Sequence, residues 1–228
     1  MVERMEVRIA GEPMQLWADR ALFWPARRRL LIADLHLGKG DVFRAAGISI
    51  PTGGTLHDLT RLDGLLRLSD AVELWVLGDF LHGGHHSAVD AAWRDFRHAH
   101  AGVRMAVVAG NHDRGLNGAM LGIDVLDAEV HDPPFCLRHA PSQATDPLQH
   151  VICGHVHPVV RLPGMDRWPV FWLTDQQTIL PAFSAFSGGW TVPDAPGQRR
   201  IACNGTALVA LDDWPESPSC LDGSALAQ

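Results

Sequence analysis

The chain has 228 residues and a formal net charge of −7, from 19 basic and 26 acidic side chains, with 46% hydrophobic and 20% charged residues. That balance excludes wholesale disorder, collagen and coiled coil, and the acid excess argues against a broad basic surface that coats nucleic acid. No run approaches the roughly 18 apolar residues of a membrane-spanning helix, so a soluble chain is expected. The length suits one domain over residues 1–214, with a Ser-, Pro- and Asp-containing tail, 215–228, expected to fray. Four cysteines stand far apart, and Met1 to Glu6 carries charges where an export signal would be apolar. Reduced thiols and a cytoplasmic location are the expectation.

In chain order, Val7–Ile9, Met14–Trp17 and Ala21–Trp24 read as strands of an antiparallel ribbon, and Leu30–Ala33 as a strand buried on both faces. Leu56, Leu59, Leu62, Leu65 and Leu66 then recur at helical spacing, with Thr55 and Asp58 as a capping pair. Val72–Leu77, a helix over Ser87–His100, and Met105–Ala109 continue the alternation, which predicts a central sheet with helix-covered faces. Beyond about residue 120 short strands take over, at Phe135–Arg138, His150–Cys153, Val159–Leu162, Val170–Leu173, Ile201–Cys203 and Ala207–Leu211. A second sheet packed on the first gives a four-layer α/β/β/α sandwich, two mixed sheets flanked by helices.

Five buried runs end in polar residues of metal-ligand type: Asp34-Leu35-His36, Gly78-Asp79, Gly110-Asn111-His112-Asp113, His139, and Gly154-His155-Val156-His157. Ligands gather outside the carboxyl ends of strands in open α/β sheets, so these side chains can converge. The set Asp34, His36, Asp79, Asn111, His139, His155 and His157 offers oxygen and imidazole nitrogen without thiolate. That disfavours an all-cysteine zinc site and argues against magnesium, leaving manganese, iron or zinc. Seven ligands suit two ions sharing a carboxylate, which polarise phosphoryl oxygens and acidify a shared water. Among the catalytic candidates Asn111, His112 and Asp113, His112 is placed to protonate a departing oxygen, with Asp113 orienting it. Phosphoester hydrolysis is the chemistry this predicts.

Taken jointly and in order, these motifs resemble the calcineurin-like metallophosphoesterase superfamily. Ala33-Asp34-Leu35-His36-Leu37-Gly38-Lys39, Phe43-Arg44-x-x-Gly47 with Pro51, and Leu180 to Gly189 are similar to the bacterial DNA-ligase-associated metallophosphoesterases, or ligase-associated DNA damage response endonucleases. The resemblance implies a binuclear, manganese-dependent phosphodiesterase acting on DNA, encoded alongside an ATP-dependent ligase, a helicase and an exonuclease-like protein. It implies that Asp34, His36, Asp79 and His157 hold one ion, that Asp79, Asn111, His139 and His155 hold the other, and that His112 is the general acid. The family usually has Gly before the fifth-motif histidine; here Arg138 precedes His139, with His131 as the alternative ligand.

Lys39, the single lysine, Arg44 and His82 are candidate phosphate contacts; His85 and His86 read as part of a Gly-rich loop. Trp168, Trp172 and Trp190 offer base-stacking faces, with core packing as the plainer reading, and Cys153 reads as a buried strand residue. A nucleotide or nucleotide-sugar pyrophosphatase is the competing enzyme, and a scaffold of the same fold the non-catalytic competitor. A protein phosphatase is disfavoured, since that branch carries Arg shortly after the Gly-Asp motif and Glu at the position of Asp113.

Overall fold

A computed structural model describes residues 2–49, 51–83, 87–113, 115–142, 149–162 and 164–212. Its first sheet opens as an antiparallel meander, β1 (Arg4–Ile9), β2 (Glu12–Trp17), β3 (Ala21–Trp24) and β4 (Arg29–Ala33), then turns parallel through β5 (Glu73–Leu77), β6 (Arg104–Val108) and β7 (Asp124–Leu126). Crossovers between the parallel strands carry α1 (Lys39–Ala45), α2 (Gly54–Ser69), α3 (Ser87–Ala99) and the single turn α4 (Gly118–Leu121).

The second sheet holds β8 (Glu129–Asp132), β9 (Phe135–Arg138), β10 (His150–Cys153), β11 (Pro158–Arg161), β12 (Arg167–Thr174), β13 (Gln177–Ile179) and β14 (Trp190–Thr191), in the spatial order β14-β11-β12-β13-β10-β9-β8. β15 (Gln198–Cys203) adds to β12, and β16 (Leu208–Ala210) adds to β15.

Period-two alternation divides the central strands between two cores. Leu30, Ile32, Leu74, Val76, Met105 and Val107 face the helices, where Leu59, Leu62, Leu65 and Leu66 of α2 and Val89, Trp93 and Phe96 of α3 cover them. Their neighbours Leu31, Ala33, Trp75, Leu77, Ala106 and Val108 face Phe135, Leu137, Ile152, Phe171, Leu173 and Ile201 of the second sheet. The two packed mixed sheets match the expected architecture. The outer helical layer over the second sheet is not found among the described residues: the clusters on that face, around Val151, Cys153 and Ile179 and around Val160, Val170 and Ala202, contain only strand and loop residues. The tail 215–228 lies outside the described residues.

The capping pair also differs from expectation. α2 is capped by Gly53 at φ +85°, and Thr55 and Asp58 lie inside the first turns. Thr55 Oγ1 accepts the Gly38 N–H at 3.1 Å, and Asp58 accepts the Ala185 N–H at 3.3 Å. Both residues tie the helix to neighbouring segments. Leu56 is 64% exposed and lies off the buried stripe.

Candidate metal centre

The carboxyl ends of β4, β5, β6, β9 and β10 come together at one rim, where their loops are laced by backbone hydrogen bonds. His36 N–H donates to the Asp79 carbonyl at 2.8 Å, Gly154 N–H to the His139 carbonyl at 2.8 Å, and His155 N–H to Asp34 Oδ2 at 2.8 Å. The lacing forces unusual backbone. Asp34, His36, Asp79, His155 and His157 lie at φ between +47° and +70°, five of the nine non-glycine residues in the left-handed region among the described residues. Such positions cost about 1–3 kcal/mol each and persist where surrounding structure holds them. Two motif glycines make room as well: a Cβ on Gly78 would lie 2.0 Å from His139 Nδ1, and one on Gly154 would lie 2.5 Å from Asp34 Oδ2.

The candidate ligands fall into two groups, Asp34 with His36 and His157, and Asp79 with His139 and His155. In the first, His157 Nε2 lies 3.3 Å from Asp34 Oδ1. In the second, His139 Nε2 lies 3.6 Å from Asp79 Oδ1 and 2.9 Å from His155 Nδ1. Asp79 stands between them, its other oxygen 3.8 Å from His36 Nε2. Two ligand atoms each about 2.1 Å from a shared ion are at most about 4.2 Å apart, so these separations fit metal chelation. The polar accounting agrees: Asp34 Oδ1 and His36 Nε2 are buried without a hydrogen-bond partner, whereas buried polar atoms normally have one. The donors present therefore fit a divalent ion.

His139 sits in the second group despite the preceding Arg138. Its Nδ1 donates to the Leu77 carbonyl at 3.1 Å, leaving Nε2 free toward Asp79. His131 is elsewhere, on β8, paired with Glu129 at 3.2 Å and Gln149 at 2.7 Å. Asn111 lies exposed at the rim beside Gly110, where a Cβ would be 2.4 Å from Asp79 Oδ1; among the described residues its amide forms no hydrogen bond.

Burial, reinforced by the nearby Lys39 ammonium, pushes the His36 pKa down to about 2, so its ring is a neutral donor. His82 is brought into the site, with Nδ1 3.3 Å from His36 Nδ1 and its ring stacked on His112 at 4.9 Å. Burial and Lys39 lower its pKa too. The spacing Asp79-x-x-His82 was the available signal for this position. His112 is exposed at the rim, edge-on to His36 at 5.6 Å. Lys39 is only 9% exposed, and among the described residues its ammonium has no ion pair or hydrogen bond; burial lowers its pKa while Asp34 and Asp79 raise it.

Two expectations are corrected. Asp113 does not orient His112: its oxygens accept the N–H groups of Phe80 at 2.9 Å, Leu81 at 3.2 Å and Gly110 at 2.9 Å, pinning the second and third loops together. It is the Asp79 carboxylate that holds the His112 backbone, accepting its N–H at 3.0 Å. Arg44, expected as a free cation, is instead engaged by Asp41 and by the Pro51 carbonyl, so it braces α1. Trp168 and Trp172 are half-buried on the outer face of the second sheet, whereas Trp190 is 50% exposed and lies 5.6 Å from Trp172, centroid to centroid. Cys153 is fully buried, and burial raises its thiol pKa. His85 and His86 lie outside the described residues.

Two oxygen and nitrogen donor groups side by side, with an unpaired cation and exposed imidazoles next to them, make a site whose chemistry suits a metal ion and a phosphoester. A family profile described as calcineurin-like phosphoesterase matches residues 27–127. Among solved structures, the Pseudomonas putida nuclease MPE is 37% identical, with a TM-score of 0.82 over 92% of this chain and 100% of that one. Yfce, a phosphoesterase from E. coli, is 16% identical with a TM-score of 0.45, over 81% of this chain and 99% of that one. No curated protein matches the chain. With the fold, the motif order and this likeness in agreement, the chain belongs to the calcineurin-like phosphoesterase family.

Proposed function

We propose that the protein is a binuclear, metal-dependent phosphodiesterase that cuts DNA internally, a manganese-dependent endonuclease of the ligase-associated kind working in DNA repair. The observation that carries this reading is Asp79 standing between two donor groups, 3.8 Å from His36 and 3.6 Å from His139. The likeness to a nuclease supports nucleic acid as substrate. The family resemblance extends the reading to a functional link with an ATP-dependent DNA ligase, a helicase and an exonuclease-like protein.

Asp34, His36, Asp79 and His157 would hold one ion, and Asp79, Asn111, His139 and His155 the other. When bound, such a pair polarises the phosphoryl group and activates water for in-line attack. The imidazole-rich set favours manganese, iron or zinc over magnesium. Carbonyl oxygens fix the tautomers of the ligands: Leu77 takes the Nδ1 proton of His139 at 3.1 Å, and Gly188 that of His157 at 3.2 Å, so each presents Nε2. His36, presenting Nε2, donates from Nδ1 to His82, which keeps its own proton on Nε2 for a phosphate oxygen. Lys39 adds positive charge to the same oxygens. His112, at the exposed rim, protonates the departing oxygen.

Manganese-stimulated cleavage of circular single-stranded DNA, set beside hydrolysis of a nucleotide pyrophosphate, tests the reading. Circles should be opened, and Asp79→Ala should abolish opening while the circular dichroism spectrum stays the same. Intact circles with hydrolysed nucleotide would replace the substrate; no hydrolysis with manganese, iron or zinc would end the phosphodiesterase assignment.

A further inference from the structure

Residues β11 and β12 form a hairpin, and one face of it runs away from the metal centre. Val159 and Pro169, directly opposite one another, line a small cavity together with His157 and Gly188. Two residues further on, and therefore on the same face, Arg161 stands opposite Arg167. Both are exposed, and with Met165 and Asp166 they line an open hollow of about 430 Å³ at the hairpin tip.

Like charges directly opposite in an antiparallel pair destabilise it, so the arrangement does not serve the fold. Nor is it neutralised. Arg27, Arg29, Arg104 and Arg200 all have carboxylate partners, yet among the described residues Arg161 and Arg167 have neither an ion pair nor a hydrogen bond, even to Asp166. In a chain with seven more acidic than basic side chains, two unpaired guanidinium groups side by side mark a place for an anion.

Resting on the phosphodiesterase reading above, we infer that Arg161 and Arg167 form a backbone clamp for a polynucleotide, holding a phosphate further along the strand whose scissile phosphate lies at the metal centre. Four residues of strand separate Arg161 from His157, about 13 Å at the usual rise. That exceeds the span of a small diester. The pair therefore acts on a polymeric substrate and is silent toward a minimal one. Planar guanidinium forks suit phosphate oxygens, and the clamp carries no base-reading group, so it reads backbone without sequence.

The test compares the unaltered protein with its Arg161→Glu/Arg167→Glu variant in two assays. Anisotropy of a fluorescent oligothymidylate in EDTA should show weaker binding by the variant, about ten-fold or more at low salt, and a log Kd against log salt slope flatter by about 0.7, the value for one lost single-strand phosphate contact. Hydrolysis of bis-para-nitrophenyl phosphate with manganese should be equal in both proteins, which also shows that the variant folds. Equal oligonucleotide affinity and salt slope in the two proteins would overturn the clamp. Absence of diester hydrolysis in both would overturn the phosphodiesterase reading, while anisotropy still decides the clamp.

Discussion

The two ends of the central strands use the same kinds of side chain to opposite effect. At the amino ends of β4, β5, β6 and β7, charged groups are paired to completion: Arg29 reaches Glu73 at 2.6 Å and Asp132 at 2.9 Å, Arg27 reaches Asp132 at 2.6 Å, and Arg104 reaches Asp124 at 2.9 Å. Arg29 also lies 3.8 Å above the Trp75 ring. At the carboxyl ends Asp34 Oδ1 and His36 Nε2 have no partner, and five ligand-type residues hold left-handed backbone. One end is closed by its own charges. The other leaves buried donor atoms without hydrogen-bond partners, which a divalent cation would satisfy.

The largest expected effect breaks the carboxyl end. Gly78→Ala would place a methyl group 2.0 Å from His139 Nδ1 at a φ of +79°. Manganese-dependent hydrolysis should fall by more than about 100-fold, beyond the usual cost of disturbing an outer-shell partner, as read from kcat/KM on a small diester. Next, Arg29→Ala leaves Glu73 with Arg104 and Asp132 with Arg27 as their remaining partners at the amino end; it should cost about 2 kcal/mol by urea unfolding, as lost charged hydrogen bonds do, and leave kcat of the folded fraction unchanged. Asp34→Asn sharpens the contrast in the opposite direction. It removes a buried charge and tolerates the φ of +54°. The metal-free protein should gain about 1 kcal/mol, visible as a higher Tm, and manganese should no longer raise that Tm.

The smallest effect is in acid. Burial opposes ionisation of Asp132, but hydrogen bonds from Arg27 and Arg29 outweigh it and hold its pKa below the ordinary carboxylate value. Its stabilisation is therefore full above the unfolded-state pKa and is lost as pH falls through the lower folded one. Arg29→Ala should flatten that acid limb in Tm against pH, whereas Asp34→Asn should leave Asp132's share of it in place.

This difference between the ends also explains what the sequence discloses. The strands expected at Phe135–Arg138 and His150–Cys153 are found to the residue as β9 and β10, where burial on both faces selects a mostly apolar run. β8, Glu-Val-His-Asp, has no such run and exists because β9 pairs with it. α1 starts at a Gly38 N-cap with φ +85° and no side-chain cap, so nothing announces it. In the site, ligand types after strand ends bring Asp34, Asp79 and the histidines together across the fold. Roles set by hydrogen bonding were hidden: Asp113 and Asn111 share a motif, yet one is buried on three N–H donors and the other is exposed. Arg44 reads as a free cation until Asp41 is seen to engage it.

The membership of the two donor groups has a consequence for the order of assembly. Asp34 and His36 belong with His157, and Asp79 belongs with His139 and His155, so each group draws on both halves of the chain. The hydrogen bond from His155 to Asp34 spans 121 positions. A nascent chain ending near residue 130 can complete the first sheet, but it holds only part of either group. Tight metal capture must wait for the second sheet to dock, after the long loop between the halves has closed. Metal retention is therefore a report on the whole fold, and no fragment containing one sheet alone should show it.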